Sequence, residues 1–266
     1  MKIRCTLLRR LSAQFFLGLF ISSITALALP AYAEALLVPA YFYPDPAGSP
    51  WQSLNNTAAQ ANVSLTAILN PASGPGTVVD SNYVTAIANL HAAGGKVIGY
   101  VSTAYGTRRL SDVTNDILRY QALYQVDGFF IDEMTADTTV AHVQFYQSLY
   151  AYIKAIAPGF RVVGNPGTNV PEQYAQLPLA DQLVTFEDSG RQYKAYLPDL
   201  WQRNYPKERF AHIVYAVGKS QMPGAMAAAA LNGAGSVFIT SRTLPNPYDG
   251  LPGYWNQEVA LSSVTQ

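Results

Sequence analysis

Two acidic pairs end apolar runs in this sequence. Asp132-Glu133 follows Gly128-Phe129-Phe130-Ile131, and Glu187-Asp188 follows Leu183-Val184-Thr185-Phe186. Such runs are what strands of a parallel sheet, covered on both faces, require, and the acids that end them are not packing residues. Bland roles exist: Asp132 or Glu133 could cap the next helix or bridge across a rim, and Glu187 could be a solvated rim charge. If both strand ends face one mouth, however, they form a carboxylate pair. Glycoside hydrolysis uses such a pair: a protonated acid gives its proton to the leaving oxygen while an ionised partner attacks or stabilises the oxocarbenium-like centre. One acid must then hold its proton near neutral pH. Burial beside Tyr and Phe, or a like-charged neighbour such as Glu133 beside Asp132, supplies that shift.

The elements that must position these acids are legible from periodicity. Short runs rich in Val, Ile, Phe and Tyr alternate with helical segments, as repeated βα units do. The strands are expected at Ala35-Tyr43, Val63-Leu69, Lys96-Ser102, Val126-Asp132, Phe160-Asn165, Gln182-Glu187, Ala211-Ala216 and Ser236-Ser241. Helices are expected at Asn82-Ala93, Ser111-Tyr124, Val140-Ala157 and Pro223-Asn232, with a short last one around Tyr254 to Val264. Eight units predict one α/β domain over residues 34–266, a (β/α)8 TIM barrel with a parallel eight-stranded sheet. An open doubly wound sheet is disfavoured, since Pro44-Asp45-Pro46-Ala47-Gly48 follows the first strand where a Gly-x-Gly-x-x-Gly turn would stand.

In a barrel the chemistry sits at the C-terminal strand ends. Besides the acids, those ends carry Tyr41, Tyr43, Asn70, Tyr100, Thr103, Tyr105, Asn165 and Tyr215. The tyrosines offer faces on which sugar rings stack.

Residues 1–33 read as an export signal: Lys2, Arg4, Arg9 and Arg10, then an apolar stretch from Phe15 to Leu29, then Ala31-Tyr32-Ala33. The mature chain is expected to begin at Glu34, with no stable membrane anchor, and to work in the periplasm or outside the cell. Removing the signal removes Cys5, the only cysteine, so no disulfide and no thiolate remain. It also removes four of the 17 basic residues and none of the 17 acidic ones, leaving 13 minus 17, or −4. Nucleic acid is an unsuitable partner for that charge. Eighteen tyrosines suit a neutral or cationic polar ligand such as a sugar. No metal or cofactor is expected: His91 and His142 fall in helical segments, and His212 falls at the start of a strand, on the barrel's inactive face. A serine nucleophile lacks its Gly-x-Ser-x-Gly elbow and a histidine at a strand end.

The chain also resembles the spherulin 4 proteins, glycoside hydrolase family 135. The resemblance rests on Val38-Pro39-Ala40-Tyr41-Phe42-Tyr43-Pro44, Leu69-Asn70-Pro71-Ala72-Ser73-Gly74-Pro75-Gly76, Gly99-Tyr100-Val101-Ser102-Thr103-Ala104-Tyr105-Gly106-Thr107-Arg108, Val126 through Glu133, and Asn165-Pro166-Gly167. It implies a TIM-barrel, endo-acting hydrolase of α-1,4-linked, galactosamine-containing exopolysaccharide; a monomer working without cofactor is expected. It also implies that Asp132, Glu133 and Glu187 are the catalytic acids. Asp132 would be the nucleophile or the group orienting a substrate acetamido, Glu187 the general acid/base and Glu133 the tuner of its neighbour, with the roles of Asp132 and Glu133 open to exchange. Tyr41, Tyr43, Asn70, Tyr100, Thr103, Tyr105, Arg108, Asn165 and Tyr215 would bind substrate. A carbohydrate-binding surface protein that keeps the barrel and cleft without turnover is the competing expectation.

Overall fold

The computed structural model describes residues 34–263. The expected export signal at 1–33 lies outside the described residues, as does Val264 at the end of the last expected helix. The first half runs β1 (Ala35–Ala40), α1 (Trp51–Ala58), β2 (Leu65–Leu69), α2 (Ser81–Ala92), β3 (Lys96–Ser102), α3 (Leu110–Leu123), β4 (Gly128–Asp132) and α4 (Val140–Ile156). The second runs β5 (Arg161–Gly164), α5 (Gln173–Gln176), β6 (Gln182–Ser189), α6 (Gly190–Tyr193), β7 (Phe210–Tyr215), α7 (Met222–Leu231), β8 (Ser236–Ile239) and α8 (Trp255–Ser262). Each strand pairs in parallel with the next, and β1 closes on β8 through Ala35↔Ser236 and Leu36↔Val237. The chain therefore forms the expected eight-stranded barrel.

Local chemistry explains the element ends. Asp80 caps α2 by accepting from the Asn82 backbone N–H at 2.9 Å, and Gly94 just beyond it takes φ +91°, where a side chain would be strained. On α4, Val143, Tyr146, Leu149 and Ile153 form one buried stripe against the barrel wall. The strands bury residues on both faces. Phe129 points outward to Tyr120 and Phe160, with ring centroids 6.2 and 5.7 Å away, while its neighbour Phe130 points inward beside Tyr100.

That alternation decides which residues reach the mouth. In β4, Phe130 faces in and so does Asp132 two residues later. In β6 simple alternation would point Val184, Phe186 and Asp188 inward and leave Glu187 outside. A bulge prevents this: Val184 pairs with Ala211, Thr185 is the extra residue, and Phe186 pairs with His212. Phe186 thus turns outward onto Tyr193 and Tyr196, at 4.6 and 4.9 Å between centroids, and Glu187 turns in. Among the described residues no helix is long and apolar enough to cross a membrane.

Candidate active site

Asp132 and Glu187 meet at the C-terminal mouth of the barrel, joined by one side chain. Asn165, the residue after β5, is 6% exposed, and its Nδ2 donates to Asp132 Oδ1 at 2.7 Å and to Glu187 Oε2 at 2.5 Å. Those two carboxylate oxygens are therefore at most about 5.2 Å apart (2.7 plus 2.5). Each acid also has a tyrosine of its own. The Tyr100 hydroxyl faces Asp132 and favours its charged form, and the Tyr248 hydroxyl donates to Glu187 Oε1 at 2.5 Å. Tyr41 stands between these two rings, edge-on to each, with centroids 5.7 Å from Tyr100 and 5.6 Å from Tyr248.

Burial raises the pKa of both acids. For Glu187 desolvation is the largest cause and the charge of Asp132 adds to it, while Tyr248 and Asn165 oppose the shift by donating to the carboxylate. For Asp132 desolvation again leads and the charge of Glu133 adds to it, opposed by Tyr100, Asn165 and the backbone N–H of Glu133. Both acids are thus held above the ordinary carboxylate range, each with donors that favour its charged form. Burial and the nearby carboxylates push the Tyr41, Tyr100 and Tyr248 hydroxyls well above the usual tyrosine range, so these groups remain protonated donors.

Glu133 sits differently. Its backbone is left-handed (φ +51°), a conformation that strains a side chain, and β3 with its following loop holds it there. The Thr103 hydroxyl bonds the carbonyls of Asp132 and Glu133 at 3.0 and 2.8 Å, Tyr105 N donates to Glu133 O at 2.8 Å, and the Ser102 hydroxyl bonds the Glu133 carboxylate.

The mouth opens into a cleft of about 470 Å³, enough for a sugar-sized ligand. Asp132, Glu133, Asn165, Glu187, Tyr41, Tyr105 and Tyr215 line it, as expected from their strand ends, and Tyr100 supports Asp132 from below. The other residues expected to bind substrate are engaged elsewhere. Tyr43, 49% exposed, bonds Asp80 and Asn82; Asn70 accepts from Gly74 N; buried Thr103 serves the loop just described. Arg108 donates to the Ser102 carbonyl at 2.6 Å and to Asp116 at 2.7 Å. Two features went unread in the sequence. One is Asn165 as the link between the acids, since it was expected only to bind substrate. The other is the β8–α8 loop, whose residues Leu244, Pro245, Asn246, Pro247 and Tyr248 form one wall of the cleft. Its available signal was an aromatic residue in a proline-flanked loop after a barrel strand.

Comparison with known proteins shows the family. The pattern of spherulation-specific family 4 (Spherulin4) matches residues 35–262. Spherulin-4 from Physarum polycephalum is 33% identical over 236 residues, covering 85% of this chain and 69% of its own length. The crystal structure of Aspergillus clavatus Sph3 in complex with GalNAc superposes with a TM-score of 0.77 at 26% identity, covering 86% of this chain and 97% of that one. The barrel, its acids and these matches span the same residues, and the chain belongs to the spherulin 4 family, glycoside hydrolase family 135.

Proposed function

We propose that this protein is an exported glycoside hydrolase that cuts within α-1,4-linked N-acetylgalactosamine or galactosamine polymers, using Asp132 and Glu187. The observation that carries the reading is the Asn165 bridge, which holds the two carboxylate oxygens within about 5.2 Å (2.7 plus 2.5). Carboxyl groups about 5–5.5 Å apart suit direct attack on the sugar and groups roughly 6.5–9.5 Å apart suit a water between them, and a bridge through a single amide nitrogen favours the closer arrangement. Family membership and the likeness to Sph3, solved with GalNAc, support a sugar with a 2-amino or 2-acetamido group.

In this reading Glu187 begins protonated. It gives its proton to the glycosidic oxygen as that bond breaks, and ionised Asp132 attacks the anomeric carbon or orients the substrate acetamido that does so. Glu187, now a carboxylate, takes a proton from the water that releases the sugar. Glu133 tunes Asp132, and Tyr41, Tyr105 and Tyr215 contact the polymer. The cleft is open, which suits cleavage within a chain. All these side chains come from one copy, so a monomer suffices, and no cofactor has a part in the scheme. Export rests on residues 1–33, which also place the mature start at Glu34.

The test is proton NMR of a partly N-acetylated α-1,4-galactosamine polymer during digestion by the mature protein. The α-anomer is expected first among the new reducing ends. The β-anomer first would replace direct attack with an activated water, and binding without new ends would leave only the carbohydrate-binding reading.

A further inference from the structure

We propose that Tyr248 and Tyr100 are a matched pair of positioning residues, each holding one carboxylate, so that the β8–α8 loop is a working part of the catalytic centre. The proposal rests on the hydrolase reading for its catalytic consequence and on geometry for its substance. Tyr248 reaches 61 residues along the chain to place its hydroxyl 2.5 Å from Glu187 Oε1, and the residue is 8% exposed. Tyr100 comes from β3, on the opposite side of Tyr41, and its hydroxyl faces Asp132 and favours the charged carboxylate. Tyr41 meets both rings nearly at right angles, at 83° and 88°, so the two hydroxyl donors are braced against one side chain. With Asn165 shared between the acids, Asp132, Asn165, Glu187 and Tyr248 form one hydrogen-bonded row, and the Tyr100 hydroxyl faces its Asp132 end.

The division of labour follows from what faces each acid. Around Glu187 the titratable groups are Asp132 from β4, Tyr41 after β1, Tyr100 from β3, Tyr215 from β7 and Tyr248 from the loop; no cation is among them. Asp132 faces Tyr41, Tyr100, Glu133, Glu187 and Tyr248. Among the described residues, the neutral hydroxyls of Tyr100 and Tyr248 are the side-chain donors besides Asn165 that offset the burial of the two acids. Removing one hydroxyl should act on the acid it touches. Phenylalanine keeps the ring, so Tyr248 retains its packing on Tyr41 and Phe238 and the loop keeps its place.

The experiment is carboxyl-carbon NMR of the mature protein labelled at Asp and Glu, titrated for wild type, Tyr248→Phe and Tyr100→Phe, with thermal unfolding as the check on folding. Tyr248→Phe should raise the Glu187 midpoint by about one pH unit and leave Asp132 less affected; Tyr100→Phe should do the reverse. In digestion of the galactosamine polymer, Tyr248→Phe should move the alkaline limb of the rate profile up and Tyr100→Phe the acid limb. Midpoints unmoved in both variants, or moved equally for both acids, would overturn the pairing. Because the titration needs no turnover, a protein that cleaves nothing but shows the paired shifts would sink the hydrolase reading and leave this one standing.

Discussion

Asn165 is the residue on which the site turns, because one amide nitrogen fixes both acids. Replacing it by Asp turns a shared donor into a third acid, and one proton would be trapped among the three. Asn165→Asp is expected to lower kcat/KM by roughly 100-fold or more with the fold retained, checked by steady-state digestion beside circular dichroism. The pH dependence follows from the two raised acids. The proposed mechanism needs Asp132 ionised and Glu187 protonated, so activity should be lost as pH falls through the raised Asp132 value and again as pH rises through that of Glu187. The rate profile should be a bell centred above the ordinary carboxylate range, and an optimum near pH 3 would contradict the burial argument. The acids themselves were legible in the sequence because a charge ending a buried apolar strand has no packing use. Tyr43, Asn70 and Thr103 were assigned by proximity to a strand end and Arg108 through the family resemblance, and in each case local hydrogen bonds that the sequence does not display set where the side chain goes. Tyr248 was hidden for the opposite reason: a loop with no periodicity delivers it.

At the scale of elements, the strand register was mostly readable, since apolar runs between glycine and proline breaks mark buried strands. The expected Lys96-Ser102 strand is β3 to the residue, while β1 stops at Ala40, short of Tyr43. The bulge in β6 was not readable, because Thr185 and Phe186 suit a simple strand equally well; only the facing strand reveals the extra residue. The start of β4 is equally specific. Gly128 has φ +156°, and a Cβ there would overlap the Arg161 backbone. Gly128→Ala should cost about 3 kcal/mol or more and lower Tm by roughly 6–12 °C, read by thermal unfolding. In β7, His212 is fully buried with Nδ1 2.7 Å from the Tyr193 hydroxyl, and burial pushes its pKa down from 6.5 to about 3. The unfolded chain binds that proton below pH 6.5 and the folded chain does not, so this group withdraws stability as pH falls from 6.5 towards 3. Glu34, raised to about 7, acts in the opposite sense, favouring the fold as pH falls from about 7 towards 4.5. Comparison with His212→Gln isolates the histidine: the variant should lose less Tm than wild type between pH 6 and 4.

At the scale of the whole molecule, one barrel carries a cleft open to a polymer and, in the reading proposed here, an export signal ahead of it. The net charge of −4 expected after signal removal suits a neutral or cationic polysaccharide. Secreted protein from a competent host should begin at Glu34, which N-terminal sequencing reads; a start at Met1 in a membrane fraction would contradict export with cleavage. The central claim is that a carboxylate pair at the barrel mouth cleaves the polymer. The most direct measurement is release of soluble oligosaccharides from a partly N-acetylated α-1,4-galactosamine polymer by wild type, Glu187→Gln and Asp132→Asn, matched for folding. Wild type should release them, and each variant should lose at least about 100-fold. Release undiminished in both variants would contradict the account.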